Sequence, residues 1–420
     1  MLDTLRNAWR IEDLRKKIIY TLVMLLVYRI GSFIPVPGVD SSFIKQMVGD
    51  DNLLGLLDVI TGGAFGNYTI FAMGITPYIN ASIILQLLTV AIPRLEELSK
   101  EGEEGRKKIA QYTRYLTVIL AFIQALGITY GLVRNALTDK SFIGYVVVIL
   151  TLTAGTAFLM WLGEQITEKG IGNGISLIIF VGIVSRIPLA VASLWNMAVA
   201  VQSIPVWALP LVLIFVVALI AGVVFVDLGQ RRIPVQYAKR VVGRKVYGGQ
   251  STHIPMKVNA SGVLPIIFAV SILSLPQTIG MFFPNSGFYK FVEAHFSQRS
   301  VPYAIVYALL IVFFTFFYTQ ISFNPIEVAN NLKQYGGFVQ GIRPGRPTAE
   351  YLMRISNRIT LVGSLFLAAV AIIPIAVAGI TRIPMYLQGT SILILVSVSL
   401  ETAQQLEAQM LMRHYKGFLK

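Results

Sequence analysis

Long apolar stretches constrain this chain more than any other feature of its sequence. A helix needs about 20 mostly apolar residues to cross the hydrocarbon core of a bilayer, and ten stretches come close to that length. They span 18–36, 72–92, 115–134, 142–162, 173–190, 205–228, 262–281, 302–323, 359–380 and 388–406. Only 13% of the residues are charged, whereas soluble domains carry about 25%. We therefore expect an all-α integral membrane protein with ten transmembrane helices.

Lysine and arginine are unevenly divided between the two sets of connections. Of the 35 lysines and arginines, 27 lie in one set and seven in the other. The richer set comprises both termini and the loops 93–114, 163–172, 227–260 and 324–358. Because short cytoplasmic loops are enriched in these residues, the bias predicts that both termini and the basic loops 229–257 and 323–358 are cytoplasmic.

The ten stretches divide into two sets of five, in residues 1–200 and 201–420. Five is an odd number, so the second half would cross the membrane with inverted topology. Inverted halves commonly enclose a pathway at their interface. The two halves show no convincing sequence identity, so this expectation of a central pore rests on the number of stretches.

Ionisable residues are nearly absent from these stretches. Arg29 lies toward the outer end of the first, and no acidic residue falls at an expected midplane. Such residues mark proton and ion pathways, so their absence disfavours a proton- or sodium-coupled transporter, although backbone and hydroxyl oxygens could still bind ions.

Enzyme chemistry is also poorly supported by the sequence. The three histidines lie outside the apolar stretches, and the chain has no cysteine, which disfavours a metal centre or a hydrolase within the membrane. GIGNGIS, residues 170–176, has no strand before it, so we interpret it as a turn and helix start rather than a nucleotide site. We expect no catalytic residues, no metal and no cofactor.

The loops 229–257 and 323–358 interleave basic residues with Val, Ile and Tyr. The first loop alternates with period two, which predicts a hairpin or an extended arm; the second predicts a short helix at 325–334, a turn and a helix that enters the ninth stretch. Ordinary cytoplasmic loops are also positively charged, which is one explanation for these residues. The concentration of basic residues in two long loops on one side favours a docking site for an anionic partner, either ribosomal RNA or a soluble motor. Candidate docking residues are Arg231, Arg232, Lys239, Arg240, Arg244, Lys245, Arg343 and Arg346.

Six segments carry a resemblance to a known family. They are TPYINASIILQLL (76–88), EGRKKIAQYTRY (104–115), GIGNGIS (170–176), GQRRIPVQYAKR (229–240), STHIPMKVNASGVLPIIFA (251–269) and FNPIEVANNLKQYGGFVQGIRPG (323–345). In this order they resemble the SecY family, the channel subunits of the bacterial protein-translocation complex. One departure is QGTS at 388–391, where the family pattern has two glycines before the threonine, and it affects only the start of the tenth stretch.

The resemblance implies a channel and not an enzyme. Such a channel moves unfolded secretory proteins across the bacterial plasma membrane and releases transmembrane segments sideways into the phospholipid. The implied partners are the membrane subunits SecE and SecG, the motor ATPase SecA, the ribosome, signal sequences and the translocating chains. SecA and the ribosome would dock on the two basic loops, with Arg343 as the strongest single candidate.

The resemblance also implies a plug, a re-entrant half-helix that closes the pore, at residues 61–72. Its residues here would include Gly62, Gly63, Ala64, Phe65, Gly66, Asn67 and Tyr68. Each glycine lowers helix stability by about 1 kcal/mol relative to alanine, so such a segment is easy to displace. Irregular backbone at membrane depth is tolerated beside protein or a water-filled cavity, which the funnel of a channel supplies.

Two further sets of residues follow from the resemblance. The narrow pore ring would be formed by Ile79, Ile83, Ile179, Ile183, Ile267 and Ile394. The lateral gate, between stretches two and three on one side and seven and eight on the other, would include Asn80, Gln86, Ser271 and Gln277. Without the resemblance, each isoleucine would be interpreted as an ordinary core or lipid-facing residue.

Two other classes of function remain as alternatives. A secondary transporter for a small solute also has inverted halves and broken helices, but the missing midplane carboxylates and the large basic loops disfavour it. A purely structural scaffold would leave the glycine-rich segment without a role.

Overall fold

A computed structural model describes residues 6, 8–47, 58, 61–199, 201, 205–237, 240–242, 245–247, 251–281, 286–296, 300–381 and 389–417. The chain is mostly helical. The helices of the first half are α1 Glu12–Gly31, α2 Ser41–Met47, α3 Thr76–Ala91, α4 Pro93–Lys100, α5 Glu103–Gly131, α6 Phe142–Lys169 and α7 Gly174–Val199. Those of the second half are α8 Ala208–Leu228, α9 Leu264–Met281, α10 Gly287–His295, α11 Val301–Ser322, α12 Pro325–Gln334, α13 Arg346–Thr381 and α14 Gly389–Gly417.

Each of the ten apolar stretches contains a helix. Within the described part of the chain, six helices are long and apolar enough to cross a bilayer, and α3 with α4 makes a seventh if the two count as one span. These two helices meet at an angle of 101°. Pro93 follows Ile92, whose backbone is extended at φ −110° and ψ 115°, because a residue before proline avoids the helical region. The shorter α9 is apolar but lies outside this count, as do α1 and α14.

Several predicted boundaries are wrong. The first stretch was predicted to reach residue 36, but α1 ends at Gly31. The chain then turns, and Pro35 forms an isolated β-bridge with Thr69. Pro35 has no backbone N–H to donate to the Gly31 carbonyl, so it could not add the next hydrogen bond that a continued α1 would make. In contrast, α7 continues past the predicted end at residue 190 to Val199 and includes Pro188.

The long helices pack as two sets that meet in the middle of the molecule. In the first set α5 packs against α3 and α6, and α6 also packs against α1 and α7. In the second set α13 packs against α11 and α14, α11 against α9, and α14 against α8. The sets meet where α9 contacts α3 and α5, and where α14 contacts α7. One large apolar core draws side chains from both sets.

The basic loops fold together into a small sheet within the mostly helical chain. Strand β1, Gln230–Tyr237, pairs antiparallel with β4, Ser251–Lys257, which confirms the predicted hairpin. Between them, β2 (Arg240–Val242) pairs with β3 (Lys245–Tyr247). Strand β5, Gly337–Val339, from the second basic loop, adds to the other edge of β1.

An apolar cluster fixes this sheet to the helices beside it. Ile233 and Val235 of β1 are buried against Leu332 of α12, Val339 of β5 and Leu352 of α13. Helix α12 starts and ends at the predicted residues. Asn324 caps it, because its side-chain oxygen accepts a 3.2 Å hydrogen bond from the backbone N–H of Ile326. The two basic loops therefore form one folded unit.

Candidate functional site

Five isoleucines from both helix sets meet around one internal cavity; four of them are predicted ring residues, and the fifth is Ile266. Ile79 of α3, Ile179 of α7, Ile267 of α9 and Ile394 of α14 line it. Its volume is about 30 Å³, and a cavity needs roughly 10–15 Å³ to hold one water molecule. The space is therefore far too small for a polypeptide. Ile83 and Ile183 do not line the cavity but are buried in the same apolar core, at 3% and 1% exposure.

Hydroxyl side chains lie about one turn along the same helices from the isoleucines. Sequence reasoning named only one of them as a site residue. Those that line the cavity are Thr76, Ser271, Ser274, Thr390 and Ser391. Each is one to two helical turns from an isoleucine of its own helix, a spacing of three, four or seven residues that keeps both on one helix face. These hydroxyl residues could therefore have been predicted from the sequence by their spacing from each ring isoleucine.

Residues 61–75, which we call the turn segment, immediately precede α3. The prediction that residues 61–72 form a half-helix is wrong, because the segment is a run of turns with one β-bridge at Thr69. Gly62 and Gly63 have φ values of 65° and 91°. Glycine adopts such left-handed conformations without the cost that other residues incur, and they prevent a regular helix here.

The turn segment is nevertheless packed on several sides. Ala64 and Phe71 belong to the same apolar core as the six isoleucines. Phe65 and Tyr68 are buried in a neighbouring cluster with residues of α5 and α6, among them Ala121. The side chain of Asn67 donates a 2.9 Å hydrogen bond to the carbonyl of Gly63 within the segment.

Helix α1 also holds the turn segment. The Tyr28 hydroxyl donates a 3.1 Å hydrogen bond to the carbonyl of Thr61, and Arg29 Nη1 donates a 3.3 Å bond to the carbonyl of Gly62. These two bonds join side chains of α1 to the backbone of Thr61 and Gly62, so α1 fixes the start of the segment.

Helices α3 and α9 contact each other, and we call this contact the seam; the four predicted gate residues belong to these two helices. Asn80 is buried at 6% exposure, Gln86 is half-buried, and Ser271 lines the cavity. For Gln277 only the backbone, within α9, is described. Among the hydrogen bonds of the described side chains, none joins Asn80 or Gln86 to α9. Among the described side chains, the seam brings together apolar residues such as Ile79, Ile267 and Val270, with the Ser271 and Ser274 hydroxyls beside them.

Basic side chains from both loops are exposed on the folded unit. Arg231, Arg232, Arg343 and Arg346 are solvent-accessible, and we call these four the basic surface. Arg346 forms an exposed ion pair of 3.0 Å with Glu350. Of the other candidates, Lys239 and Arg244 lie outside the described residues, and the description of Arg240 and Lys245 stops at their backbone in β2 and β3.

A polar contact that sequence reasoning missed joins this unit to the helix core. Asp227, at the end of α8, accepts a 2.6 Å hydrogen bond from the Asn259 side chain and a 2.5 Å bond from the Ser397 hydroxyl of α14. Asp227 precedes β1 and Asn259 follows β4, so this carboxylate closes the base of the hairpin and ties it to α14.

A comparison with protein-family models decides the family. The SecY family model matches residues 69–403, which is most of the chain. The chain belongs to the SecY family. Over its full length it is 48% identical to the protein translocase subunit SecY of Halalkalibacterium halodurans and 46% identical to that of Bacillus subtilis, and each alignment covers 100% of both chains.

Solved structures show the same fold at lower sequence identity. A protein-conducting channel superposes with a TM-score of 0.69 at 21% identity, covering 94% of this chain and 92% of the other. Sec61 in a canine ribosome–channel complex from the endoplasmic reticulum superposes with a TM-score of 0.65 at 20% identity, with the same coverage. This SecY-family chain is therefore a subunit of a protein-conducting translocation channel in a membrane, not an enzyme.

Proposed function

We propose that the chain moves unfolded secretory proteins across the bacterial plasma membrane through the cavity lined by Ile79, Ile179, Ile267 and Ile394, and releases transmembrane segments through the seam. The observation that carries this proposal is the cavity itself, because its isoleucines come from both helix sets. In this proposal ten membrane helices form two inverted halves, residues 1–200 and 201–420. Both termini and the basic surface face the cytoplasm.

The cavity is suited to seal against ions and to accept any sequence. A narrow apolar constriction excludes water and ions by dewetting. Isoleucine has no polar group that would hold particular side chains of a passing polypeptide, and Ile83 and Ile183 extend the same apolar lining. The hydroxyl groups beside it would offer hydrogen bonds to a chain that has passed the narrowest point.

The turn segment is proposed as the plug. It packs against the core that contains the ring, and its glycine-rich turns lack the continuous hydrogen bonds of a helix. Segments of this kind open at lower free energy than regular helices. The plug can therefore leave while α3 and α7 stay folded.

The seam is proposed as the lateral gate. Asn80, Gln86, Ser271 and Gln277 would be its polar residues, and polar contacts within membranes are worth only about 0.6–2 kcal/mol each. A hydrophobic signal sequence that enters between α3 and α9 could replace their apolar contacts with its own. Lipid would then receive a transmembrane segment from the same opening.

The expected partners divide between the membrane and the cytoplasm. SecE and SecG would bind within the bilayer, where α8 exposes long apolar side chains such as Phe225, at 82% exposure, to partners or to phospholipid. The motor SecA and the ribosome would dock on the basic surface, together with Lys239, Arg240, Arg244 and Lys245. The likeness to Sec61 in a ribosome–channel complex supports the ribosome, and the positive charge suits its RNA.

Reconstitution tests the proposed function. The purified chain with SecE and SecG is placed in vesicles of bacterial phospholipid, and SecA, ATP and an unfolded secretory protein are added outside. The expected result is ATP-dependent protection of the substrate from protease. Uptake of a small solute without such protection would support the transporter alternative and contradict the proposal.

A further inference from the structure

An ion pair between a buried carboxylate and a partly exposed guanidinium joins Asp58, three residues before the turn segment, to α7. The carboxylate of Asp58, which is 5% exposed, contacts the Nη2 atom of Arg186. Its other oxygen accepts a 2.6 Å hydrogen bond from the backbone N–H of Gly66, and its carbonyl accepts a 2.8 Å bond from the N–H of Gly63. The Asp58 carbonyl also accepts a 3.3 Å hydrogen bond from the Thr61 hydroxyl. Asp58 therefore binds three residues of the turn segment and one residue of a neighbouring helix at once.

Arg186 lies on the helix face that carries the pore residues of α7. Ile179, Ile183 and Arg186 are separated by four and three residues, and side chains at these spacings share one face of a helix. The same region approaches the segment closely, since a Cβ atom added to Gly62 would come within 2.7 Å of the Gly182 Cα atom. The ion pair thus fastens the turn segment directly beside the apolar ring.

Burial makes this contact matter for opening. A buried charge needs a partner, and removing one member of a buried pair leaves the other charge uncompensated. The hydrogen bonds from Tyr28 and Arg29 reach backbone carbonyls, whereas the bond to Arg186 joins two opposite charges. Any displacement of the turn segment that carries Asp58 along must separate those charges, so the pair favours the position seen here.

We infer that Asp58 and Arg186 form a latch that sets how readily the turn segment leaves the ring, and thereby which signal sequences open the channel. This inference rests on the proposed function of the turn segment as the plug. A strongly hydrophobic signal sequence supplies enough binding free energy to open the latched channel, and a weak one does not. Weakening the latch relaxes this discrimination.

The test compares variants that change the charge and little else. Asp58→Asn keeps the shape and the oxygen that accepts from Gly66, and Arg186→Gln removes the guanidinium. Arg134→Gln, at an exposed arginine just beyond α5, is the matched control. Each chain is reconstituted with SecE and SecG, and ion efflux from vesicles is measured without any substrate. We expect efflux to rise by more than about tenfold in both latch variants, because each removes the charge pairing that holds Asp58 against α7.

Two further variants separate a latch from a purely structural role. Arg186→Lys keeps the positive charge, so its efflux is expected to lie well below that of Arg186→Gln. The Asp58→Asn/Arg186→Gln double variant is expected to leak no more than the worse single variant, because residues of one ion pair are not additive. If Asp58→Asn does not yield folded protein, the comparison between Gln and Lys at Arg186 still decides the question.

A second readout tests discrimination directly. Transport of a substrate with a shortened hydrophobic signal is compared with transport of the same substrate with an intact signal. In the latch variants, the ratio of transport with the intact signal to transport with the shortened signal is expected to fall by about tenfold or more. Arg134→Gln is expected to keep the wild-type ratio. Efflux and discrimination equal to wild type in both latch variants would overturn the latch, with the proposed function intact. If the latch variants released more ions than wild type but the wild-type channel transported no protein, the latch would stand and the proposed function would be overturned.

Discussion

Gln236 of β1 lies directly opposite Phe338 of β5. This pair joins two loops that are far apart in the sequence, and it makes their basic residues parts of one surface. Residues opposite each other in antiparallel strands have Cα atoms about 4.5–5.5 Å apart, which suits a disulfide. Since the chain has no cysteine, cysteines placed at these positions have no competitors.

We predict that Gln236→Cys/Phe338→Cys forms a disulfide under mild oxidation in the reconstituted channel. Loss of free thiol to a maleimide reagent measures it. Arg232→Cys/Phe338→Cys is the control, because Arg232 lies four residues away on the same strand, a distance of about 13 Å. Equal labelling of both oxidised pairs would contradict the three-stranded sheet.

Arg343→Glu is predicted to stop motor-driven transport while leaving the fold intact. The side chain is exposed on the basic surface, so its replacement disturbs no core contact and reverses a charge that an anionic partner would bind. SecA-dependent transport and SecA binding to the vesicles are measured. Lys140→Glu, at an exposed position of the opposite set of connections, serves as the control and should transport normally. Undiminished transport by Arg343→Glu would contradict the proposal that SecA docks on the basic surface through Arg343.

Ser397→Ala is predicted to lower the stability of the purified chain by about 1.5–3 kcal/mol, the usual worth of a hydrogen bond to a charged group. The change removes the 2.5 Å bond to Asp227 that ties the hairpin base to α14. Ser399→Ala is the matched control, since the Ser399 hydroxyl bonds only a carbonyl of its own helix, that of Leu395. Thermal unfolding in detergent compares the two, and equal midpoints would show that the Asp227 contact contributes nothing.

Gly62→Ala is predicted to destabilise the position of the turn segment. Its φ of 65° costs a residue with a side chain about 1–2 kcal/mol, and the added methyl group would press on the Gly182 backbone at 2.7 Å. Higher ion efflux from substrate-free vesicles is the expected result. Gly222→Ala provides the comparison, because among the described residues no atom beyond the adjacent backbone of its own helix lies within 4 Å of the added methyl group. A tight seal in both variants would argue that the segment does not depend on this close approach.

Sequence reasoning found the helices but placed some of their ends poorly, for a physical reason. A hydropathy pattern follows the bilayer, whereas a helix ends where its backbone hydrogen bonds end. Helix α1 stops at Gly31 ahead of Pro35, although the apolar residues continue. Helix α13 begins at Arg346, well before its apolar stretch, as predicted for a helix of the second basic loop that enters the ninth stretch. Helix α12, which has Asn324 and Pro325 at its start, was predicted correctly at both ends.

The candidate site was predictable in part. The isoleucines came from a family resemblance, since isoleucine has no chemistry that distinguishes a pore from a core. The ion pair between Asp58 and Arg186 and the bond between Asp227 and Ser397 join residues more than a hundred positions apart. No local pattern links such residues, and only the packing of α7 and α14 brings them together. The prediction of a half-helix at 61–72 was wrong because glycines at positive φ make the segment a series of turns.

The central claim is that a translocating chain passes between the isoleucines of the two helix sets. We would place a cysteine at Ile79 or at Ile394, one from each set, and a second cysteine in a secretory protein stalled in transit. Leu213→Cys, at a position of α8 that is 65% exposed, is the control outside the cavity. The account predicts disulfides at Ile79 and Ile394 that require SecA and ATP, and none at Leu213. Efficient cross-links at Leu213 with none at either isoleucine would mean that this cavity is not the conduit.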